Sequence, residues 1–307
     1  MTLSISAVIC THNRASDLKA CLESLYVFPS SSLVEVLVVD NASTDNTKAV
    51  AAAYADLMLN LRYVYEARLG LPFARNCGWQ AASAEIVLYL DDDATVTEGA
   101  IDALAGIYSR KWDGELPVAV GTRVVPAFIG CEGYPHWLHP DFIPYLTQLD
   151  LGPDDRCLKN AEFLVGASFS VPRRVLGLIG GFNENLPAFG MDERWVEEQI
   201  KRQGGKLLYC GTATVRHAVT PVRLQKKWFY RRLYQEGIAA RKFFGLLTPR
   251  SLVANLLSLA KHSTRMLWHF ILGLFNMGAA HRQSRFRHLC AGFVSLGHIR
   301  ALSGDLF

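Results

Sequence analysis

Four apolar runs rich in β-branched residues alternate with helix-patterned segments over the first third of the chain, and each run ends on polar or charged side chains. "SISAVICT" (4–11), "VEVLVVD" (34–40), "LRYVYEA" (61–67) and "EIVLYLDD" (85–92) read as strands. Between them, "RASDLKACLESLY" (14–26) sets Leu18, Cys21, Leu22 and Leu25 at helical spacing. "STDNTKAVAAAYA" (43–55) opens on Ser43 or Thr44 as a helix cap, and "PFARNCGWQAAS" (72–83) opens a helix on proline. This alternation predicts right-handed βαβ units and an α/β fold with a mostly parallel, Rossmann-type sheet flanked by helices. Ligands of such sheets bind beyond the carboxyl ends of the strands. The strand ends here are "THNR", "DNASTD", "EARLG" and "DDD", and they are expected to share one rim.

The last of these ends is the most demanding. In "LYLDDDATV" (88–96), Asp91, Asp92 and Asp93 follow a buried strand, and three adjacent carboxylates repel one another unless a cation or solvent separates them. Residues two apart at a strand end point to one side, so Asp91 and Asp93 are placed to share a cation while Asp92 faces away. No GxGxxG follows the first strand and no GxxxxGK[ST] occurs, which removes a glycine cradle for phosphate. A divalent cation, Mn²⁺ or Mg²⁺, held by the aspartates is the candidate that neutralises phosphate instead.

Composition bounds the rest. Half of the 307 residues are apolar, enough for a sizeable core in one large α/β domain with additions or in two modest domains. The seven cysteines include no CxxC pair, which fits reduced thiols in the cytoplasm. "MTLSISAVICTHNR" lacks a basic stretch ahead of its apolar run and is read as a first strand, not a signal peptide. Charge is uneven: residues 1–215 hold 17 Lys/Arg against 26 Asp/Glu, and residues 216–307 hold 15 against 2. The basic end invites nucleic acid, an anionic membrane surface or a polyanionic substrate as partner. "WFYRRLYQ" and "RMLWHFILGLFNMGAA" interleave Arg with large apolar residues, as interfacial helices do, and the second is too short to span a bilayer. Two readings stay open for this region: helices resting on the inner face of the cell membrane, or amphipathic helices packed on the catalytic body. Nucleic acid ranks last.

"VICTHNR", "VVDNASTDNT", "GLPFARNCGW" and "LYLDDDA", in this order, resemble the nucleotide-sugar-binding half of family 2 glycosyltransferases with the GT-A fold. "FLVGASFSVPRRVLGLIGGFNENLPAFGMDERWVEEQIKRQGGKLLYCGTATVRH" resembles the acceptor-side half, so the resemblance runs from residue 4 to about 240. It implies an inverting transferase that moves one sugar from a nucleotide-diphosphate donor to a hydroxyl of a glycan or lipid-linked acceptor, with a divalent cation as cofactor. It implies a domain at 1–220, with a nucleotide-sugar half at 1–97 and an acceptor half at 98–220, followed by a basic helical region at 221–307. Asp40 would bind the nucleoside, and Thr11, Arg14, Arg68, Arg75, Asn76 and Asp92 would line the nucleotide site. Asp91 and Asp93 form the DxD pair, and His217, after the short strand "KLLYCGTATV", would complete the metal site.

The same resemblance places the base, which takes the acceptor proton, at the start of the helix in "FGMDERWVEEQIKRQGG". The family pattern is Glu-Asp; here the order is Asp192-Glu193. Neighbours on a helix point about 100° apart, so one of the two faces the acceptor, and Glu193 is favoured over Asp192. "GASFSVPRR" (166–174) would floor the donor sugar, with Gly166 and Ala167 allowing close approach. "IGCEGYPHWLHPDFIPYL" (129–146) is expected to be an aromatic loop that stacks on acceptor rings or packs as a hydrophobic lid. No QxxRW-type signature of processive synthases occurs, and transfer of a single sugar follows. A sugar-phosphate nucleotidylyltransferase is the first alternative, although "THNRAS" lacks its glycine-rich loop. A non-catalytic nucleotide-sugar-binding subunit, motivated by the reversed carboxylate pair, is the second.

Overall fold

The computed structural model describes residues 3–159, 161–186, 191–247, 252–275 and 282–306. Two expected features fall partly elsewhere: the approach to the base helix at 187–190 and the end of the apolar stretch at 276–280 lie outside the described residues. The chain divides into two compact units. The first comprises Met1–Ala127, Thr147–Ala188 and Asp192–Ala218, and the second takes Phe128–Leu146 and Val219–Phe307.

In the first unit, β1 (Ile5–Thr11), β2 (Leu33–Asp40), β3 (Leu61–Tyr65) and β4 (Ile86–Asp91) lie parallel in the order β3-β2-β1-β4. α1 (Ala15–Val27), α2 (Thr47–Ala55) and α3 (Leu71–Ala81) make the crossovers. The strands are apolar at nearly every position because both faces of the sheet are covered. Ile5, Ala7 and Ile9 of β1 join one core with α1, α2 and α4 (Ala100–Tyr108); Val8 joins the opposite core with α3, α5 (Arg173–Ile179) and α6 (Asp192–Arg202). Successive strand residues point to opposite faces, so one continuous apolar run feeds two cores.

Beyond β4 the sheet turns antiparallel through β8 (Ser168–Pro172), then β6 (Ala119–Phe128), β9 (Leu207–Val219) and β5 (Ala94–Val96), with β7 (Arg156–Cys157) on β9. Two expectations are corrected here. The strand expected to stop before His217 continues through it to Val219, with His217 paired to Ala94 of β5. Helix α2 begins at Thr47, not at Ser43 or Thr44, because those residues serve the neighbouring loop: Ser43 Oγ accepts from the Asn13 amide and Thr44 donates to Asn13 Oδ1.

The second unit is helical: α7 (Lys226–Leu247), α8 (Leu252–Phe275) and α9 (Arg282–Leu306), with α9 packed on both others. The 129–146 segment is not wholly irregular, since Pro140–Leu146 forms a 3-10 helix. Its Trp137 and Phe142 rings pack edge-on to Phe286 of α9, at 4.7 and 5.2 Å between centroids, and Trp137 also meets Phe229 of α7 at 5.8 Å. These aromatics pack within the helical unit, on α7 and α9.

Candidate active site

The parallel half of the sheet aligns its strand ends. Thr11 is registered with Asp40, Asp40 with Tyr65, and Cys10 with Asp91. Above this rim the three aspartates divide their work. Asp93 Oδ1 lies 3.0 Å from His217 Nε2, and Asp91 Oδ2 lies 3.8 Å from the same nitrogen. Asp92 turns instead toward the end of β1, where Thr11 Oγ1 donates to its Oδ2 at 2.8 Å and Arg14 Nη1 pairs with its Oδ1 at 2.8 Å. Arg14 also reaches Asp93 Oδ2 at 2.8 Å, so one guanidinium ties both turn carboxylates to the first strand. Burial nevertheless pushes the Asp92 carboxyl up to about 7, and burial together with Asp93 raises Asp91.

Asp91, Asp93 and His217 each offer one ligand atom, and these atoms lie within 4.8 Å of one another. Two carboxylate oxygens and an imidazole nitrogen form a hard-to-borderline donor set that fits Mn²⁺ or Mg²⁺ with positions left for phosphate oxygens and water. β9 and β5 fix the histidine by pairing His217 with Ala94, three residues past Asp91. The alternation along β9, where Ala213, Val215, His217 and Val219 are buried and Thr212 and Arg216 are exposed, is the period-2 signal that marks His217 as inward-facing.

Arg75 of α3 is the second centre. It is buried among three carboxylates: its Nη1 donates to Asp192 Oδ2 and lies 3.5 Å from Glu193 Oε2, while Nη2 is 3.7 Å from Asp91 Oδ1. Its guanidinium also donates to the Gly166 carbonyl at 3.3 Å and sits over the rings of Tyr89, Phe169 and Phe182 at 5.5 to 5.9 Å. Gly166 is small for this reason, since a Cβ there would fall 2.6 Å from Arg75 Nη2 and 3.4 Å from Glu193 Cδ. The two members of the reversed pair differ: the Asp192 side chain is 2 % exposed and locked on Arg75, whereas that of Glu193 is 19 % exposed. Burial pushes the Asp192 carboxyl up to about 7 against the pull of Arg75.

The remaining expected residues are placed around this centre in different ways. Asp40 is buried and accepts from the Ser43 amide at 2.8 Å and the Tyr63 hydroxyl at 2.6 Å. Arg68 is half exposed, pairs with Glu66 at 2.8 Å and Glu184 at 3.4 Å, and lies over the Phe73 ring. Asn76 is engaged by the 182–184 turn. Its amide donates to the Phe182 carbonyl and Glu184, and its oxygen accepts from the Phe182 amide and the Trp79 indole, which makes it a clamp on the 182–184 turn.

Sequence reasoning missed two residues that shape the site. Asn41 donates to the carbonyls of Glu66 and Arg68 and accepts from the Gly70 amide, fixing the loop that carries Arg68. Glu197, one turn beyond Glu193 on α6, is fully buried, accepts from the Leu164 amide at 3.2 Å, and leaves Oε1 without a hydrogen-bond partner among the described residues. Burial, with Glu193 nearby, pushes its carboxyl up to about 8.

Residues 6–127 match the family described as Glycosyl transferase family 2. The chain is a glycosyltransferase, and residues 6–127 are the part of it that matches family 2. This glycosyltransferase is similar to the glucosyl-dolichyl phosphate glucuronosyltransferase of Haloferax volcanii, 24 % identical across 81 % of this chain and 80 % of that protein. It is also 40 % identical, over 91 residues, to validoxylamine A glucosyltransferase of Streptomyces hygroscopicus, a match that covers 28 % of this chain and 21 % of the relative. In three dimensions it resembles a mannosyltransferase from Pyrobaculum calidifontis solved with GDP-Man and Mn²⁺, with a TM-score of 0.61 at 20 % identity over 96 % of this chain and 87 % of the other. That likeness carries the GT-A fold.

Proposed function

We propose that this glycosyltransferase is a divalent-cation-dependent inverting enzyme that transfers one sugar from a nucleoside diphosphate to a hydroxyl of a glycan or lipid-linked acceptor. The observation that carries the reading is the meeting of an Asp91–Asp93–His217 ligand set with an Arg75–Asp192–Glu193 cluster, the two joined by the 3.7 Å approach of Arg75 to Asp91. A cation on Asp91, Asp93 and His217 would supply positive charge to a departing diphosphate. The donor half of the domain, residues 1–97, presents Asp40, Thr11 and Arg68 for the nucleoside and diphosphate, and residues 98–220 present the base. Relatives whose names specify glucuronosyl, glucosyl and mannosyl transfer, and a neighbour solved with Mn²⁺, agree with this class of chemistry.

Glu193 is the proposed base. Its carboxylate accepts the acceptor proton as the hydroxyl oxygen forms the new bond to the anomeric carbon. The bond from that carbon to the diphosphate oxygen breaks on the opposite face, and the nucleoside diphosphate leaves with the electron pair. Asp192 holds Arg75, and Arg75 in turn fixes where Glu193 sits. The basic region is proposed to rest on an anionic membrane face. Among the described residues no helix is long and apolar enough to cross a membrane, yet α8 exposes Leu256, Leu267, Trp268, Leu274 and Phe275.

Thermal stabilisation by UDP, GDP and dTDP, with and without Mn²⁺, tests the donor site. One nucleotide should raise the melting temperature only with metal, and Asp91→Ala/Asp93→Ala should abolish the effect. Stabilisation that survives this substitution, or no stabilisation by any nucleotide, overturns the reading.

A further inference from the structure

The second unit contains a cavity of about 550 Å³ whose lining is almost entirely hydrogen-bond donors. Arg265 and His269 come from α8, Ser284, Arg287 and His288 from α9, and His139 from the segment before the 3-10 helix. Residues 265 and 269 are four apart, and 284, 287, 288 and 291 fall on one helical face, so each helix turns one polar stripe into the space. Only Ala291 of the lining is apolar, and no carboxylate lines it. Asp141, close by, engages Arg287 Nη2 at 3.1 Å and His139 Nδ1 at 3.4 Å. Arg265 has no ion-pair partner among the described residues, and the two imidazoles face each other with Nδ1 atoms 3.1 Å apart. Cations and imidazoles gathered around a space large enough for a ligand lower their mutual repulsion most when an anion fills it.

We propose that this cavity is a binding site for a phosphate group, held by Arg265 and Arg287 with His269 and His288 at its floor. The site is separate from the transfer chemistry and does not rest on it. A metal is the weaker occupant. The imidazole spacing alone suits one, but two guanidinium groups beside it repel a cation, and the described residues bring no third ligand within reach. Phosphate matches the donor geometry through the planar forks of the two arginines. The same chemistry is offered by free phosphate and by the phosphomonoester headgroup of a lipid.

Protonation is linked to occupancy. Burial, the neighbouring His288 and Arg265 together hold His269 below the ordinary imidazole range. An anion facing the pair reverses the last two of these effects, so binding takes up a proton and tightens toward low pH. The charged groups that face the pair are Arg265 from α8, Arg287 from α9, and His139 with its partner Asp141.

The test follows ring resonances of His269 and His288 by NMR on the full chain, assigned with His269→Gln and His288→Gln, in EDTA at matched chloride ionic strength. Inorganic phosphate should shift both rings saturably, with tighter binding at pH 6 than at pH 8. Arg265→Gln should weaken the response roughly tenfold, the worth of one charged hydrogen bond. Phosphatidylcholine vesicles with and without phosphatidic acid form the second arm. A response to inorganic phosphate identifies a free anion, and a response only to phosphatidic acid vesicles identifies a headgroup; either supports the site. Arg265 is exposed, so its loss is tolerated by the fold, which the spectrum itself verifies, and Arg287→Gln repeats the measurement independently. Absence of a shift with both probes, or shifts unchanged in both arginine variants, overturns the proposal.

Discussion

A guanidinium sealed from water beside three carboxyl groups sets the electrostatics of the candidate site. Arg75 is 3 % exposed and touches Asp192, Glu193 and Asp91, so it balances charge that burial would otherwise drive into the neutral form. Its partners divide by accessibility. Asp192 is held in the pair, and Glu193 keeps the open side that its proposed role as base requires. Replacing Glu193 by Gln keeps the shape and removes the proton acceptor. The expected result is a fall in kcat of about 10²- to 10⁴-fold, the usual worth of general base catalysis, with donor affinity unchanged. Asp192→Asn should instead lower the melting temperature, because it strips the charge partner from a buried arginine. If Glu193→Gln leaves turnover intact while Asp192→Asn abolishes it in a folded protein, the base has been assigned to the wrong member of the pair.

At the scale of elements, α6 carries a titration that can be read without substrate. Glu197 is one turn past Glu193, and its carboxyl is pushed up to about 8, from an ordinary value of 4.5, by burial first and by Glu193 second. The sign follows from proton counting: the folded state holds this proton more tightly than the unfolded chain. The contribution is therefore complete below pH 4.5 and is lost as pH rises toward and through 8. Glu197→Gln keeps the contact with the Leu164 amide and removes the titration. The melting temperature of the variant should gain on that of the parent between pH 5 and pH 9, by an amount corresponding to a few kcal/mol at most. A difference that is constant with pH sinks the assignment. Glu197 was not legible in the sequence, since a carboxylate on a polar-looking helix is buried only by what packs on it. The strands were legible because a sheet covered on both faces demands unbroken apolar runs. The start of α2 was not, because Asn13, with φ of 54°, draws Thr44 and the Asp45 amide to itself, and Asp45 accepts from the Thr47 amide in the first turn of α2. The aspartate triplet was legible from its adjacency alone. His217 also carries a readable signal, the alternation of "TATVRHAV", which continues the strand through it to Val219.

Across the whole molecule the charge is divided by position along the chain, with residues 1–215 at −9 and residues 216–307 at +13. An acidic portion repels an anionic surface and a basic region draws it, so the proposed contact with such a surface would run through the tail. The exposed residues of α8 recur at spacings of 7 and 11, Leu256 to Leu267 to Leu274 and Leu257 to Trp268 to Phe275, which places them along one stripe of the helix. Lys261 and Arg265 on the same helix add charge that each contributes about 1 kcal/mol near an anionic lipid surface. The expected behaviour is sedimentation with phosphatidylcholine vesicles containing phosphatidylglycerol, weak sedimentation with phosphatidylcholine alone, and a several-fold loss on raising salt from about 0.05 to 0.3 M as the charges are screened. Leu267→Glu/Trp268→Glu replaces exposed side chains, so it should leave the melting temperature near that of the parent while removing vesicle binding. Sedimentation that ignores both salt and this double substitution would mean that the stripe on α8 is not the surface through which the protein meets lipid.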